Sequence, residues 1–170
     1  MKDATPQEHK AHAPVSVGCF VLTISDSKTP DTDTSGALIR ELLTAAGHRV
    51  AGHAIVRDEP VQVTAVIRSG CAAPSVEVFI LTGGTGITKR DSTFEAVETM
   101  LDKRLTGFGE LFRMLSYQDI GPAAMLSRAQ GGVVQGRVLF SLPGSPNACR
   151  LALESLIIPE LGHLIREVNR

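Results

Sequence analysis

Apolar runs alternate with amphipathic stretches along most of the chain. Val15 to Ser25 (VSVGCFVLTIS) is apolar and β-branched, then turns polar at its end, as a buried parallel strand does. A polar loop, Asp26 to Asp33, leads to ALIRELLTAAG, where Leu38, Ile39, Leu42 and Leu43 share one helical face. Thr34 or Ser35 is the expected cap, and Gly47 the stop. Arg49 to Val56 reads as a second strand, closed by Asp58-Glu59-Pro60. Helical spacing of Val63, Val66 and Ile67 predicts a helix from Val61 to about Ala73. Val76 to Thr82 (VEVFILT) is a third strand, and glycines follow it at once.

The second half continues the alternation. Ser92 to Leu101 reads as a helix with a Ser92–Glu95 capping box. Gly107 to Tyr117 presents Phe108, Leu111, Phe112 and Leu115 on one side, and Pro122 to Arg128 is a further short helix. Gly131 to Val134 and Arg137 to Leu142 are strands joined by Gln135-Gly136 in a hairpin-like excursion. A last amphipathic helix runs from about Asn147 to Val168, with Pro159 the point where it is disturbed. Strands alternating with helices predict an α/β fold with a mostly parallel sheet, and leave one edge open to antiparallel pairing. Residues 1–14 hold no apolar run and read as a mobile polar tail, in which His9 and His12 are solvated. Residues 15–170 read as a single domain.

Composition narrows the chemistry. With 170 residues the chain can bury a core without metal or disulfide staples. Seventeen basic and eighteen acidic side chains give a net charge of −1, which argues against nucleic-acid binding by bulk charge. Any phosphate chemistry must come from local geometry. Cys19, Cys71 and Cys149 are scattered among apolar residues and form no metal or redox motif. No stretch is long and apolar enough to span a bilayer. The expected location is the cytoplasm. There is no Trp and one Tyr, so ligand recognition through backbone and carboxylate hydrogen bonds is favoured over aromatic stacking.

The sixteen glycines are skewed in place. Three of them fall in Thr82-Gly83-Gly84-Thr85-Gly86, where unshielded backbone N–H groups can fold into an anion-binding nest. The segment matches neither a Walker A loop nor GxGxxG. Lys89 and Arg90 follow and can neutralise phosphate oxygens, Arg90 with a bidentate fork. Asp91 suits Mg²⁺ or a ligand amide, and equally a helix cap. Asp58, after another strand, would complete a two-carboxylate Mg²⁺ site if it met Asp91 in space. Ser25 and Asp26 end the first strand, where an Asx turn explains them nearly as well. Pro143-Gly144-Ser145-Pro146 precedes a helix, either as a second anion seat or as a plain connector. No acyl-transfer constellation or histidine metal cluster is present.

These segments, read together, resemble the molybdenum cofactor biosynthesis proteins of the MoaB/Mog type. LTISDS (22–27), DTSG (33–36), IVRDE (55–59), LTGGTGITKRDST (81–93), GFGELFRMLSYQDIG (107–121) and SLPGSPNAC (141–149) carry the resemblance, in family order. The DTSG, FRMLSYQDIG and PGSPNAC segments look closer to the B branch. The resemblance implies a three-layer α/β/α fold and a homo-oligomer, trimeric or hexameric. It implies binding of molybdopterin and its adenylylation with Mg²⁺-ATP, giving adenylyl-molybdopterin and pyrophosphate. Asp58 and Asp91 match the family's two functional aspartates, here taken as catalytic and metal-binding. Thr82 to Gly86 matches the pterin and phosphate cradle. Pro143, Gly144 and Ser145 match a further site loop, and Ser25 and Asp26 the pocket floor. The rival expectation is a non-catalytic protein that binds molybdopterin and hands it to others of the pathway. Apolar helical faces such as Phe108–Leu115 leave room for a subunit interface.

Overall fold

A computed structural model describes residues 14–88 and 91–170. The tail with His9 and His12, and the assignments to Lys89 and Arg90, lie outside the described residues.

One sheet carries all six strands among the described residues: β1 (Gly18–Ile24), β2 (Arg49–Val56), β3 (Val78–Gly83), β4 (Lys103–Arg104), β5 (Gln130–Val134) and β6 (Arg137–Leu142). Their order is β2-β1-β3-β6-β5-β4. The first four of these are mutually parallel, whereas β5 and β4 add an antiparallel edge. The helices are α1 (Thr34–Ala45), α2 (Pro60–Cys71), α3 (Thr93–Met100), α4 (Thr106–Ile120), α5 (Pro146–Ala152) and α6 (Ile158–Val168).

Alternation along the strands decides the layers. Cys19, Val21, Val78, Ile80, Phe140 and Leu142 point to the face covered by α1, α4, α5 and α6. Leu22, Ile24, Phe79, Leu81 and Leu139 point to the face covered by α2 and α3. The result is a three-layer α/β/α sandwich. After β1 the chain goes out to β2 on one side and returns to β3 on the other, so β1 and β3 flank the topological switch point. Ligands bind beyond the carboxyl ends of strands at such a point.

Several local expectations need correction. Asp33, rather than Thr34 or Ser35, caps α1: its Oδ1 accepts the Gly36 N–H at 2.9 Å. The Ser92–Glu95 box does not form, because the Ser92 side chain makes no cap bond to α3 and Glu95 pairs with Arg128. On α4 the buried residues are Phe108, Gly109, Phe112 and Ser116, while Leu111 is 47% exposed, so the apolar face is turned from the one expected. The segment from Gly121 to Leu126 is a 3-10 turn. The disturbance in the last helix precedes Pro159, as a π turn over Leu153–Ile157 between α5 and α6. Proline has no N–H to give to the carbonyl four residues back, and the wider turn absorbs that loss. The Gln135-Gly136 hairpin is present, with positive φ at both residues (46° and 73°), the twist-matched two-residue turn. β4 was not foreseen.

Candidate functional site

The carboxyl ends of the parallel strands are in register. Ile24 of β1 pairs with Val56 of β2 and Gly83 of β3, and Thr82 pairs with Leu142 of β6. The Ser25 N–H extends the β1–β2 contact to the Val56 carbonyl at 2.8 Å. Four of the segments singled out in the sequence therefore leave the same edge of the sheet: Ser25-Asp26, Asp58, Thr82–Gly86 and Pro143–Ser145.

A cavity of about 80 Å³ sits there, lined by Thr23, Ser25, Lys28, Asp33, Ser35, Thr82 and Gly144 among others. It unites three expected residues, Ser25, Thr82 and Gly144, from three strand ends. Larger cavities lie elsewhere. One of about 400 Å³ lies between α3, α4 and β5, and an apolar one of about 460 Å³ lies between α4 and α6. The polar groups of the strand ends make the smaller one the candidate site.

Each wall of the site has a local cause. Ser25 Oγ accepts the N–H groups of Ser27 and Lys28, both at 3.3 Å, which folds the β1 exit and leaves the hydroxyl proton to donate. Asp26 is exposed on the same turn. Gly83 has φ of +96° and would place a Cβ 2.2 Å from the Ile24 carbonyl oxygen, so only glycine passes there. Gly84 (φ +66°) lies against Thr93 and Ile24. Gly86 packs on the Asp91 carboxylate, 2.2 Å from where its Cβ would be. Asp91 Oδ2 accepts the Thr88 N–H at 2.7 Å, and the Asp91 N–H reaches the Thr88 carbonyl at 3.0 Å. Asp91 is thus built into the glycine loop.

The third wall is bound to the second. Thr82 Oγ1 donates to the Pro143 carbonyl at 3.1 Å, beside the buried Cys149 thiol at 3.3 Å. Burial raises the Cys149 pKa, so the thiol stays protonated and serves as packing. Ser35 Oγ donates to the Gly144 carbonyl at 2.8 Å. Ser145 Oγ accepts the Ala148 N–H at 3.2 Å and caps α5. The connector reading of Pro143–Ser145 accounts for Ser145, while Gly144 lines the cavity.

Asp58 follows β2, and one of its oxygens, Oδ1, is buried and has no hydrogen-bond partner among the described residues. Such an acceptor is uncommon in a folded protein and calls for a donor or a cation. Thr93 Oγ1, beneath Gly84, is likewise buried with no partner among the described residues. β1 separates β2 from β3, so the strands leading to Asp58 and Asp91 lie about 10 Å apart. No group of three or more His, Cys, Asp or Glu able to hold a metal occurs among the described residues. The carboxylates fit a cation that takes most of its ligands from phosphate and water, as Mg²⁺ does.

Two contributors escaped the sequence reading. Asp33, 2% exposed, joins Thr23, Gly36 and His53 under the cavity. Arg128 reaches the glycine loop from 42 residues away, and bonds the carbonyls of Thr85 and Gly86. Only the DTSG segment hinted at Asp33, and no local pattern marks Arg128.

A family profile described as "Probable molybdopterin binding domain" matches residues 20–163. Molybdenum cofactor biosynthesis protein B of Bacillus cereus is 52% identical over 96% of this chain and 97% of its own length. A crystal structure of a molybdenum cofactor biosynthesis protein B superposes with a TM-score of 0.90 at 52% identity, covering 94% of this chain and 99% of that one. The tungsten cofactor synthesizing protein MoaB from Pyrococcus furiosus gives 0.81 at 39% identity, over 93% and 100% of the two chains.

Proposed function

This chain belongs to the MoaB/Mog family of molybdenum cofactor biosynthesis proteins, and from that premise we propose that it binds molybdopterin and adenylylates it with Mg²⁺-ATP. The observation that supports this most directly is the buried Asp58 Oδ1, without a partner among the described residues, on the same sheet edge as the glycine loop.

Phosphoryl transfer asks a protein for positioning and charge neutralisation more than for covalent chemistry. The terminal phosphate of molybdopterin attacks the α-phosphorus of ATP. A new P–O–P bond forms, the bond to the β-phosphate breaks, and pyrophosphate leaves. Backbone N–H groups of the Thr82–Gly86 loop hold phosphate oxygens. Ser25 and Asp26 form the pocket floor, and Pro143, Gly144 and Ser145 flank it. Arg90 neutralises phosphate charge. Asp58 and Asp91 would hold Mg²⁺, which would screen the phosphate charges from one another.

The protein acts in the cytoplasm as a trimer or hexamer. Leu111, Met114, Tyr117 and Ile120 of α4, each 47–60% exposed, support a subunit interface on that helix.

Incubation with molybdopterin and Mg²⁺-ATP tests the reading through pyrophosphate release. The wild type is expected to release one pyrophosphate per molybdopterin, and Asp91→Asn to lose most of that rate. Unchanged turnover in Asp91→Asn removes its assigned role. Molybdopterin binding with no pyrophosphate reduces the protein to a carrier.

A further inference from the structure

The glycine loop is held from outside by one arginine. Arg128 lies between the 3-10 turn and β5. Its Nε donates to the Thr85 carbonyl at 3.1 Å. Nη2 donates to the Gly86 carbonyl, and Nη1 to the Glu95 carboxylate of α3. The guanidinium carbon lies 4.4 Å from the centre of the Phe94 ring. The side chain is 22% exposed, so most of it is out of bulk water.

A guanidinium carries its donors in one rigid plane. Stacking that plane on Phe94 and anchoring one corner on Glu95 leaves its other donors in fixed places. The two carbonyls of the loop must come to them. The peptide bond is planar and trans, so within each unit the N–H points opposite to the C=O. The Thr85 carbonyl shares its unit with the Gly86 N–H, and the Gly86 carbonyl with the Ile87 N–H. With both carbonyls turned toward Arg128, both N–H groups are turned away from it. Two successive N–H groups facing one side are the elements of an anion-binding concavity.

We propose that Arg128 is a positioning residue of the glycine loop: supported by Glu95 and Phe94, it turns the Thr85 and Gly86 carbonyls toward itself and so presents the Gly86 and Ile87 N–H groups to the phosphate of the ligand. The ligand's identity as molybdopterin rests on the functional reading above. The arginine acts through the backbone and its charge does not meet the phosphate. A lysine in its place keeps the charge but lacks the planar fork.

Two measurements on the full chain test this, with Arg128→Ala, Arg128→Lys and Glu95→Gln. The first is amide hydrogen exchange without ligand. Arg128→Ala is expected to speed exchange of the loop's Thr88 N–H, which is held on the Asp91 carboxylate, by about tenfold or more as the loop loosens, with β1 and β3 unchanged. The lysine variant should fall close to alanine, and Glu95→Gln between alanine and wild type. The second is molybdopterin titration, where both Arg128 variants should bind about tenfold or more weakly with the ATP KM unchanged. Unaltered loop exchange in a folded Arg128 variant overturns the proposal. So does a loosened loop with wild-type molybdopterin affinity. Should Arg128→Ala fail to fold, the lysine and Glu95→Gln variants carry the same comparison. Should the wild type itself bind no molybdopterin, the functional reading fails, and loop exchange still decides what Arg128 does.

Discussion

Thr23 and Asp33, ten positions apart and in different elements, meet beneath the cavity: the threonine hydroxyl donates to the aspartate Oδ2 at 2.7 Å. The same carboxylate caps α1 through the Gly36 N–H and lies 3.1 Å from His53 Nε2. One buried acid thereby ties β1, α1 and β2 together at the site.

Removing that acid should loosen all three. Asp33→Ala leaves the Thr23 hydroxyl and the Gly36 N–H buried without their acceptor, at an expected cost of about 2–3 kcal/mol. Asp33→Asn keeps an acceptor for the cap and should cost about 1 kcal/mol. Urea denaturation with a constant m-value measures both, and equal costs would show that the cap carries none of the effect.

The glycines of the loop should separate stability from function. Gly83→Ala meets both a positive φ and the Ile24 carbonyl, so it should destabilise by about 1–3 kcal/mol from strain alone. Gly86→Ala pushes on the Asp91 carboxylate in an exposed part of the loop. It should leave the melting temperature nearly unchanged and abolish most pyrophosphate release. Full activity in Gly86→Ala would dissociate Asp91 from the reaction.

The strands and the glycine loop were legible because their causes are local. β2 falls on Arg49–Val56, as its apolar run dictates, and Gln135-Gly136 turns the hairpin, as its glycine allows. What escaped depends on distant residues. β4 is two exposed polar residues, Lys103 and Arg104, paired to Val133 and Gly132, and two residues have no period. Asp33 looked like loop because its partners, Thr23 and His53, are 10 and 20 positions away. Leu111 has the spacing of a core residue, but α4 turns Gly109 and Ser116 inward instead. The Asp58–Asp91 pairing expected in the sequence remains part of the functional proposal.

The cysteines should divide by accessibility. Burial, with Glu77 second, pushes the Cys19 thiol up to about 12, and burial also raises Cys149. Both are fully buried, whereas Cys71 is half-buried. A thiol reagent at neutral pH should therefore modify Cys71 alone in the native protein and all three after denaturation, as read by mass spectrometry. Rapid native labelling of Cys149 would contradict the packed Thr82–Pro143 contact.

Acid should weaken the fold through His48. Its Nδ1 accepts the Val17 N–H at 3.3 Å, and burial lowers its pKa below the usual 6.5. The folded state thus prefers the neutral ring, and the unfolded chain takes up the proton first. Stability is full above about pH 6.5 and falls as the pH drops from there through the folded value. His48→Gln should flatten that part of the stability profile, measured by denaturation between pH 7.5 and 5.

The π turn at Leu153–Ile157 governs the phase of the whole C-terminal rod. Its buried stripe, Cys149, Leu153, Ile157, Leu161 and Ile165, recurs at every fourth position. In an uninterrupted α-helix a four-residue repeat slips by about 40° at each step, so the stripe would wind nearly half-way around the axis over its length. The wider turn takes back part of that rotation in the middle. Forcing the same residues into an unbroken α-helix would swing Leu161 and Ile165 off the sheet, whereas deleting a single residue between 153 and 157 would remove the wide turn and keep their phase. A local irregularity in hydrogen bonding is here the condition for a straight seam.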